Sequence, residues 1–163
     1  MGKSFLKNFR PMRILIDGDA CPVKEEIIEL AASYQVEVIL VASLAHYTRK
    51  TYPTHVQVVY VERGAEQADF KIVSLVQTGD LVVTQDYGLA SLLLNKATVL
   101  HHTGWRYTAD NIDQLLWQRH IGKQLRKAGK RTKGPSSFTL EDRERFKQSL
   151  VALLRPAEKK EGN

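Results

Sequence analysis

Ile14-Leu15-Ile16-Asp17-Gly18-Asp19-Ala20-Cys21-Pro22 carries an apolar run into two aspartates flanking a glycine, and then meets a proline. The run from Met12 to Asp17 has the length of a strand buried on both faces, and Asp-Gly-Asp has the composition of a loop. Pro22 suits the opening of a helix, where no backbone N–H is needed. Apolar residues follow at Val23, Ile27, Ile28, Leu30 and Ala31, close to the spacing of one helical face, so a helix is expected up to Tyr34. The stretch therefore reads as strand, acidic loop and helix.

Further along, Val36–Ala42 reads as a second strand and, after a polar stretch, Val56–Val61 as a third. Gly64 opens a helix through Phe70, Ile72, Val73, Leu75 and Val76, and Gly79 closes it. Asp80–Thr84 is a short strand, Tyr87–Asn95 a helix and Ala97–His101 a strand. This alternation predicts an α/β fold, a three-layer α/β/α sandwich on a central, mainly parallel sheet. Asp110–Lys127 continues as a long helix with Ile112, Leu115, Leu116, Ile121 and Leu125 on its expected buried side. A basic loop follows over 128–137. Thr139 and Asp142 then have the spacing of a capping box for a last helix bearing Phe146, Leu150 and Leu153. The expected organisation is a disordered lead-in over 1–11, an α/β domain over 12–127, and a basic loop and C-terminal helix over 128–163 packed on that domain.

The 163 residues fit one domain with a sizeable core. A hydrophobic share of 43% and a charged share of 26% are ordinary for a globular chain and argue against disorder. No apolar run approaches the roughly 18 residues of a membrane span. A single cysteine, Cys21, excludes an internal disulfide, and with no signal-peptide pattern at the start it points to the cytoplasm. The net charge of +6 is unevenly distributed: from Arg119 onward there are 13 Lys and Arg against 5 Asp and Glu, and before it 11 against 13. A basic appendage on an acidic body suits a polyanionic partner brought to a carboxylate site.

In a parallel sheet, functional groups gather beyond the carboxyl ends of the strands. Asp17 and Asp19 follow the first strand there, and Asp86 follows the fourth. Glu66 and Asp69 fall in the first turns of the helix after the third strand, three residues apart and on one helical face. Two like charges about 4 Å apart repel by roughly 4 kcal/mol at an effective dielectric near 20, so carboxylates gathered at one edge call for a cation. Oxygen donors without a His or Cys cluster favour Mg²⁺ or Mn²⁺, which suit hydrolysis of phosphodiesters. Asp17, Asp69 and Asp86 are the expected metal ligands, Asp19 and Glu66 additional catalytic acids, and Thr84 a support for Asp86. Lys24, Arg49 and Lys50 near the edge, and Arg126, Lys127, Lys130, Arg131 and Lys133 in the basic segment, are candidate contacts to nucleic-acid phosphates.

The opening stretch, with Gly64-Ala65-Glu66-Gln67-Ala68-Asp69, Thr84-Gln85-Asp86-Tyr87 and Gly134-Pro135, resembles the bacterial YaiI/YqxD family over residues 12 to 155. That family is similar to the PIN and NYN nucleases. In those, an Asp ends strand one, an acid lies on a mid-chain helix, and Thr/Ser-x-Asp ends a later strand. Asp17, Asp69 with Glu66, and Thr84-Gln85-Asp86 match these places. The resemblance implies a PIN-like fold whose acids bind Mg²⁺ or Mn²⁺ and cut RNA or single-stranded nucleic acid. A further acid often found beside the third motif has no counterpart in Tyr87-Gly88-Leu89, which leaves two alternatives: Asp19 supplies the oxygen from the first loop, or the metal is held more weakly than in an active nuclease.

Two other readings compete. One is a nucleic-acid-binding module with a vestigial metal site. The other is a haloacid-dehalogenase-like phosphatase with Asp17 as nucleophile and Asp19 as acid/base. The second wants a Gly-Asp pair just after a later strand, and Gly79-Asp80 precedes its strand. Cys21 at a helix start invites a thiolate reading, but a small structural cysteine is the commoner case. His101-His102 and the aromatics Trp105, Tyr107 and Trp117 read first as packing. Neither a dinucleotide fingerprint nor a P-loop occurs.

Overall fold

Leu15 lies at the middle of the sheet, between Ile39 of the second strand and Val82 of the fourth, and Ile14, Leu15 and Ile16 are wholly buried. Such continuous apolar runs are what a parallel sheet covered on both faces requires. The structure is a computed structural model that describes residues 11–64, 66–132 and 137–155. Its strands are β1 (Arg13–Asp17), β2 (Glu37–Ser43), β3 (Val56–Val61), β4 (Leu81–Val83) and β5 (Thr98–Leu100). Its helices are α1 (Lys24–Ser33), α2 (Gln67–Leu75), α3 (Tyr87–Leu93), α4 (Ala109–Lys127) and α5 (Leu140–Leu154). All strand pairs are parallel, in the spatial order β3-β2-β1-β4-β5.

Alternate side chains of each strand feed two cores. Leu15, Ile39, Val41, Val82 and Val99 pack with Ile72 of α2, Leu89 and Leu93 of α3, and Ile112 of α4. Ile14, Ile16, Val38, Leu40, Leu81 and Val83 pack with Ile27 and Ala31 of α1 and with Phe146 and Leu150 of α5. The expected α/β/α sandwich is the observed architecture. Arg143 of α5 reinforces the second face, pairing with Glu26 and donating to the Pro22 carbonyl at 2.9 Å. The expected capping box at the start of α5 is present, with Thr139 accepting from the Asp142 N–H and Asp142 from the Thr139 N–H. Among the described residues, no helix is long and apolar enough to cross a membrane.

One expectation needs correction. Ile112 of α4 is buried and Leu115 and Leu116 are partly so, but Ile121 and Leu125 are 39% and 38% exposed. The 19-residue helix packs on the 7-residue α3, so its periodic apolar stripe continues after its packing partner ends. The expected lead-in falls outside the described residues except for Pro11, as do Lys133 and Gly134-Pro135.

At the amino end of the sheet, Arg13 reaches Asp80 through two hydrogen bonds of 2.7 and 3.2 Å. Asp80 also accepts from the Gln77 N–H at 2.8 Å, and Arg13 donates to the Leu75 carbonyl at 2.9 Å. Asp80 is buried but fully partnered, as a buried charge must be. It stands at the opposite end from Asp17, which leaves the phosphatase reading without its Gly-Asp pair.

At the other end, the chain leaves β1 through a turn at Gly18 that presses on β2. A Cβ at this position would lie 2.6 Å from Leu40 Cδ1 and 2.9 Å from the Val41 carbonyl oxygen. Gly18→Ala is therefore expected to cost roughly 2 kcal/mol, read as a thermal midpoint lowered by about 4–8 °C. An unchanged midpoint would show that the loop shifts freely.

Candidate active site

The strand order places a reversal between β1 and β4. From β1 the chain builds outward through β2 and β3, then crosses back to β4 and continues to β5. The helix after β1 covers one face and the helix after β4 the other, so the connections at the carboxyl ends of β1 and β4 part and leave a crevice. Asp17 is the last residue of β1, and Asp86 is the N-cap of α3, which follows β4. α2 lies across β1 and β2, and its first turn brings Asp69 to the same place.

These residues line one cavity of about 170 Å³, with Asp19, Cys21, Thr84, Gln85 and His102 among the other walls. Four aspartates thus meet, and the lining contains no Lys or Arg. Thr84, buried at the end of β4, is the central connection: its hydroxyl donates to Asp17 Oδ2 at 2.9 Å and accepts from the Asp86 N–H at 3.0 Å. It thus orients the Asp17 carboxylate and fixes the backbone, not the carboxylate, of Asp86. Beneath it, the buried Tyr107 hydroxyl donates to the Thr84 carbonyl at 3.2 Å.

The four acids are differently engaged. Asp86 Oδ1 accepts from the Leu89 N–H at 3.1 Å and has Arg119 Nη1 at 3.7 Å, beyond a normal hydrogen bond. Asp19 Oδ1 accepts from the Ser43 N–H at 2.9 Å and lies 3.2 Å from His46 Nδ1, tying the first loop to the end of β2. Asp69 has no hydrogen bond or ion pair among the described residues. Burial first, and then Asp86, Asp17 and Glu66, push its carboxyl up to about 6, with Arg119 opposing. Burial also raises Asp17; the Thr84 hydrogen bond opposes this, and Asp86 and Asp19 add to it. Among the described residues, no three His, Cys, Asp or Glu side chains stand close enough to hold an ion as arranged. The carboxylate donors fit a hard divalent cation: they are oxygen ligands gathered on one cavity, and Asp17 and Asp69 are raised by burial first and by neighbouring negative charge second.

Other candidates are placed as follows. Glu66 is exposed just before α2 and does not line the cavity. Lys24, Arg49 and Lys50 are also outside the lining, and Lys50 pairs with Glu25 while lying 5.2 Å over the Tyr52 ring. Arg126 and Arg131 line a groove along α4 with Tyr87, Arg119 and Gly122. Lys127 and Lys130 are exposed outside that lining, and Arg126 donates to Thr132 Oγ1 at 3.2 Å. Cys21 lines the cavity, but burial pushes its thiol up to about 11, which favours the inert thiol over a nucleophilic thiolate. Arg119 and Gln85 had no role assigned from the sequence, whereas His102, expected on the carboxyl edge and read first as packing, lines the cavity.

The fold and cavity define an α/β domain with a carboxylate site at a strand-order reversal. A profile of the family described as uncharacterized BCR, YaiI/YqxD family, matches residues 15–156, and the chain belongs to that family. It is 53% identical over 145 residues to a UPF0178 protein of Enterococcus faecalis, covering 88% of this chain and 98% of the relative. It is 51% identical over 146 residues to a UPF0178 protein of Bacillus anthracis, covering 87% of this chain and all of the relative. A third UPF0178 protein, from Bacillus thuringiensis, is 53% identical over 144 residues, covering 88% of this chain and 99% of the relative. No solved structure matches the chain.

Proposed function

We propose that this protein is a PIN-like, Mg²⁺- or Mn²⁺-dependent nuclease that hydrolyses phosphodiester bonds in RNA or other single-stranded nucleic acid. The observation that carries this reading is the convergence of Asp17, Asp69 and Asp86, from three separate elements, on one cavity whose lining has no cationic side chain. A bound hard divalent ion supplies charge neutralisation at a phosphoryl oxygen and a more acidic water. Asp17, held by the Thr84 hydroxyl, and Asp86, fixed at the start of α3, give two oriented ligands, and unpartnered Asp69 gives the third. Asp19 keeps Oδ2 for a water or for the ion, since Oδ1 is engaged by Ser43. Glu66, outside the lining, acts only through its charge on Asp69. The groove containing Arg119, Arg126 and Arg131 meets the carboxylate rim at Arg119 and Tyr87 and suits the phosphates of an approaching strand.

The test is incubation of an end-labelled single-stranded RNA with the protein in Mn²⁺, in Mg²⁺ and in EDTA. Cleavage is expected with either ion and none in EDTA. Binding that falls with salt but never leads to cleavage would instead favour the binding module.

The arginine groove makes a separate prediction. In the Arg126→Ala, Arg131→Ala double variant, the slope of log affinity against log salt should flatten by about 1.4, the loss of two single-strand phosphate contacts. Single-turnover cleavage at saturating protein should stay unchanged. A slope equal to that of the unaltered protein would remove these residues from the strand path.

A further inference from the structure

The acidic cavity opens on one side into a trench of about 750 Å³, with which it shares Gln85 and His102. The trench walls are mostly rings: Tyr87, His101, His102, Trp105 and Phe138, all only partly buried. His101 stacks on Trp105 with centroids 4.5 Å apart and planes 11° from parallel. His102 lies 4.2 Å from His101 and meets Phe138 edge-on at 5.5 Å. Burial lowers both imidazoles, His101 to about 4, so these rings are neutral at physiological pH. The acid of the trench, Asp142, is already engaged, accepting from Arg145 at 3.0 Å and from the Thr139 N–H at 3.0 Å. Arg145, paired with Asp142, also lines the trench, and the Arg143 guanidinium lies 5.0 Å over the Phe138 ring, so the uncharged ring nearest the aspartates is His102, beside a site suited to a bridging phosphate. Exposed Gln85, at the junction, has an amide that both donates and accepts.

We infer that this trench takes one unstacked nucleobase of a single strand, next to the phosphate held in the aspartate cavity, with His102 as its stacking ring, Phe138 flanking it at a steep angle, and Gln85 at the turn between base and phosphate. The inference rests on the nuclease reading and adds a requirement: the nucleotide beside the scissile bond must be out of a duplex. Base stacking on rings is tolerant of base identity, so the trench selects single strands over duplexes without selecting a sequence.

The test uses the unaltered full chain in Ca²⁺, an oxygen-seeking ion of looser geometry that neutralises the carboxylates in place of Mg²⁺ or Mn²⁺ so that binding is read apart from cleavage. Fluorescence anisotropy compares a labelled ten-nucleotide single strand with the same strand carrying one central abasic site, and with strands carrying abasic sites at each other position. At the position that occupies the trench, removing the base is expected to weaken binding about 5- to 20-fold, whereas other positions change little. His102→Ala should reduce that position's effect to less than twofold, whereas His102→Phe, which keeps an uncharged ring, should restore it. Equal affinity for the intact strand and every abasic strand, with Mn²⁺-dependent cleavage retained, overturns the trench and leaves the nuclease standing. No measurable affinity for any strand, together with no cleavage in Mn²⁺, overturns both.

Discussion

Asp17→Asn is expected to lower Mn²⁺-dependent cleavage of single-stranded RNA on the order of a thousandfold, with the fold unchanged. Loss of an outer partner to a metal ligand costs about 10- to 100-fold, and loss of a ligand's charge costs more; a thousandfold corresponds to about 4 kcal/mol. The asparagine amide oxygen can still accept from Thr84, whose hydroxyl now donates to Asp17 at 2.9 Å. Removing one charge also relieves repulsion, since Asp86 and Asp19 both raise the Asp17 carboxyl. The metal-free variant should therefore unfold at the same temperature as the parent or higher. An unfolding midpoint that is retained while single-turnover cleavage collapses marks a chemical role for the carboxylate; cleavage within threefold of the parent would sink it.

Mn²⁺ or Mg²⁺ should raise the thermal midpoint, and by more at pH 7.5 than at pH 5. At a hundredfold excess over the dissociation constant, binding to the folded state contributes about 2.7 kcal/mol, or about 5–10 °C for a chain of this size. The pH dependence comes mainly from Asp69, whose carboxyl rises from 3.8 to about 6 in the folded chain. The metal-free folded state then holds a proton that the unfolded chain has released. The stability this provides is complete below about pH 4 and is lost as pH rises through 6. A cation at the same oxygens competes with that proton, so its stabilisation grows across that window. Differential scanning fluorimetry at the two pH values checks this. Equal shifts at both, or the same pH trend in Asp69→Asn, would remove Asp69 from the site.

The parts of the fold that depend on local pattern were readable in the sequence. Ile14-Leu15-Ile16, Val56–Val61 and the Thr139–Asp142 cap are each set by residues a few positions apart, and each appears in the structure where expected. The placement of Asp17 and Asp86 followed from one rule about strand ends, without the spatial order of the strands, which lies in long-range pairings such as Ile16 with Val83. What could not be read depends on distant partners. The stripe on α4 looks the same at Ile112 and Leu125, and only the end of the short α3 it packs on leaves one buried and the other exposed. Lys50 looks like a free cation until α1 brings Glu25 beside it. Asp19 looks equivalent to Asp17, but one oxygen is taken by a backbone N–H at the far end of β2. Gln85 and His102 become neighbours only when β4 and β5 pair.

The central position of β1 bears on how the protein is made. Its neighbour on one side, β2, follows almost at once in the chain, whereas its neighbour on the other, β4, is not synthesised until after α2. A growing polypeptide therefore carries Asp17, Asp19 and Asp69 well before it has a wall to set them against, and Thr84 and Asp86 arrive last of the carboxylate cluster. Translation thus completes the carboxylate cavity only after most of the sheet has been delivered, and a chain ending short of Asp86 lacks one of its walls.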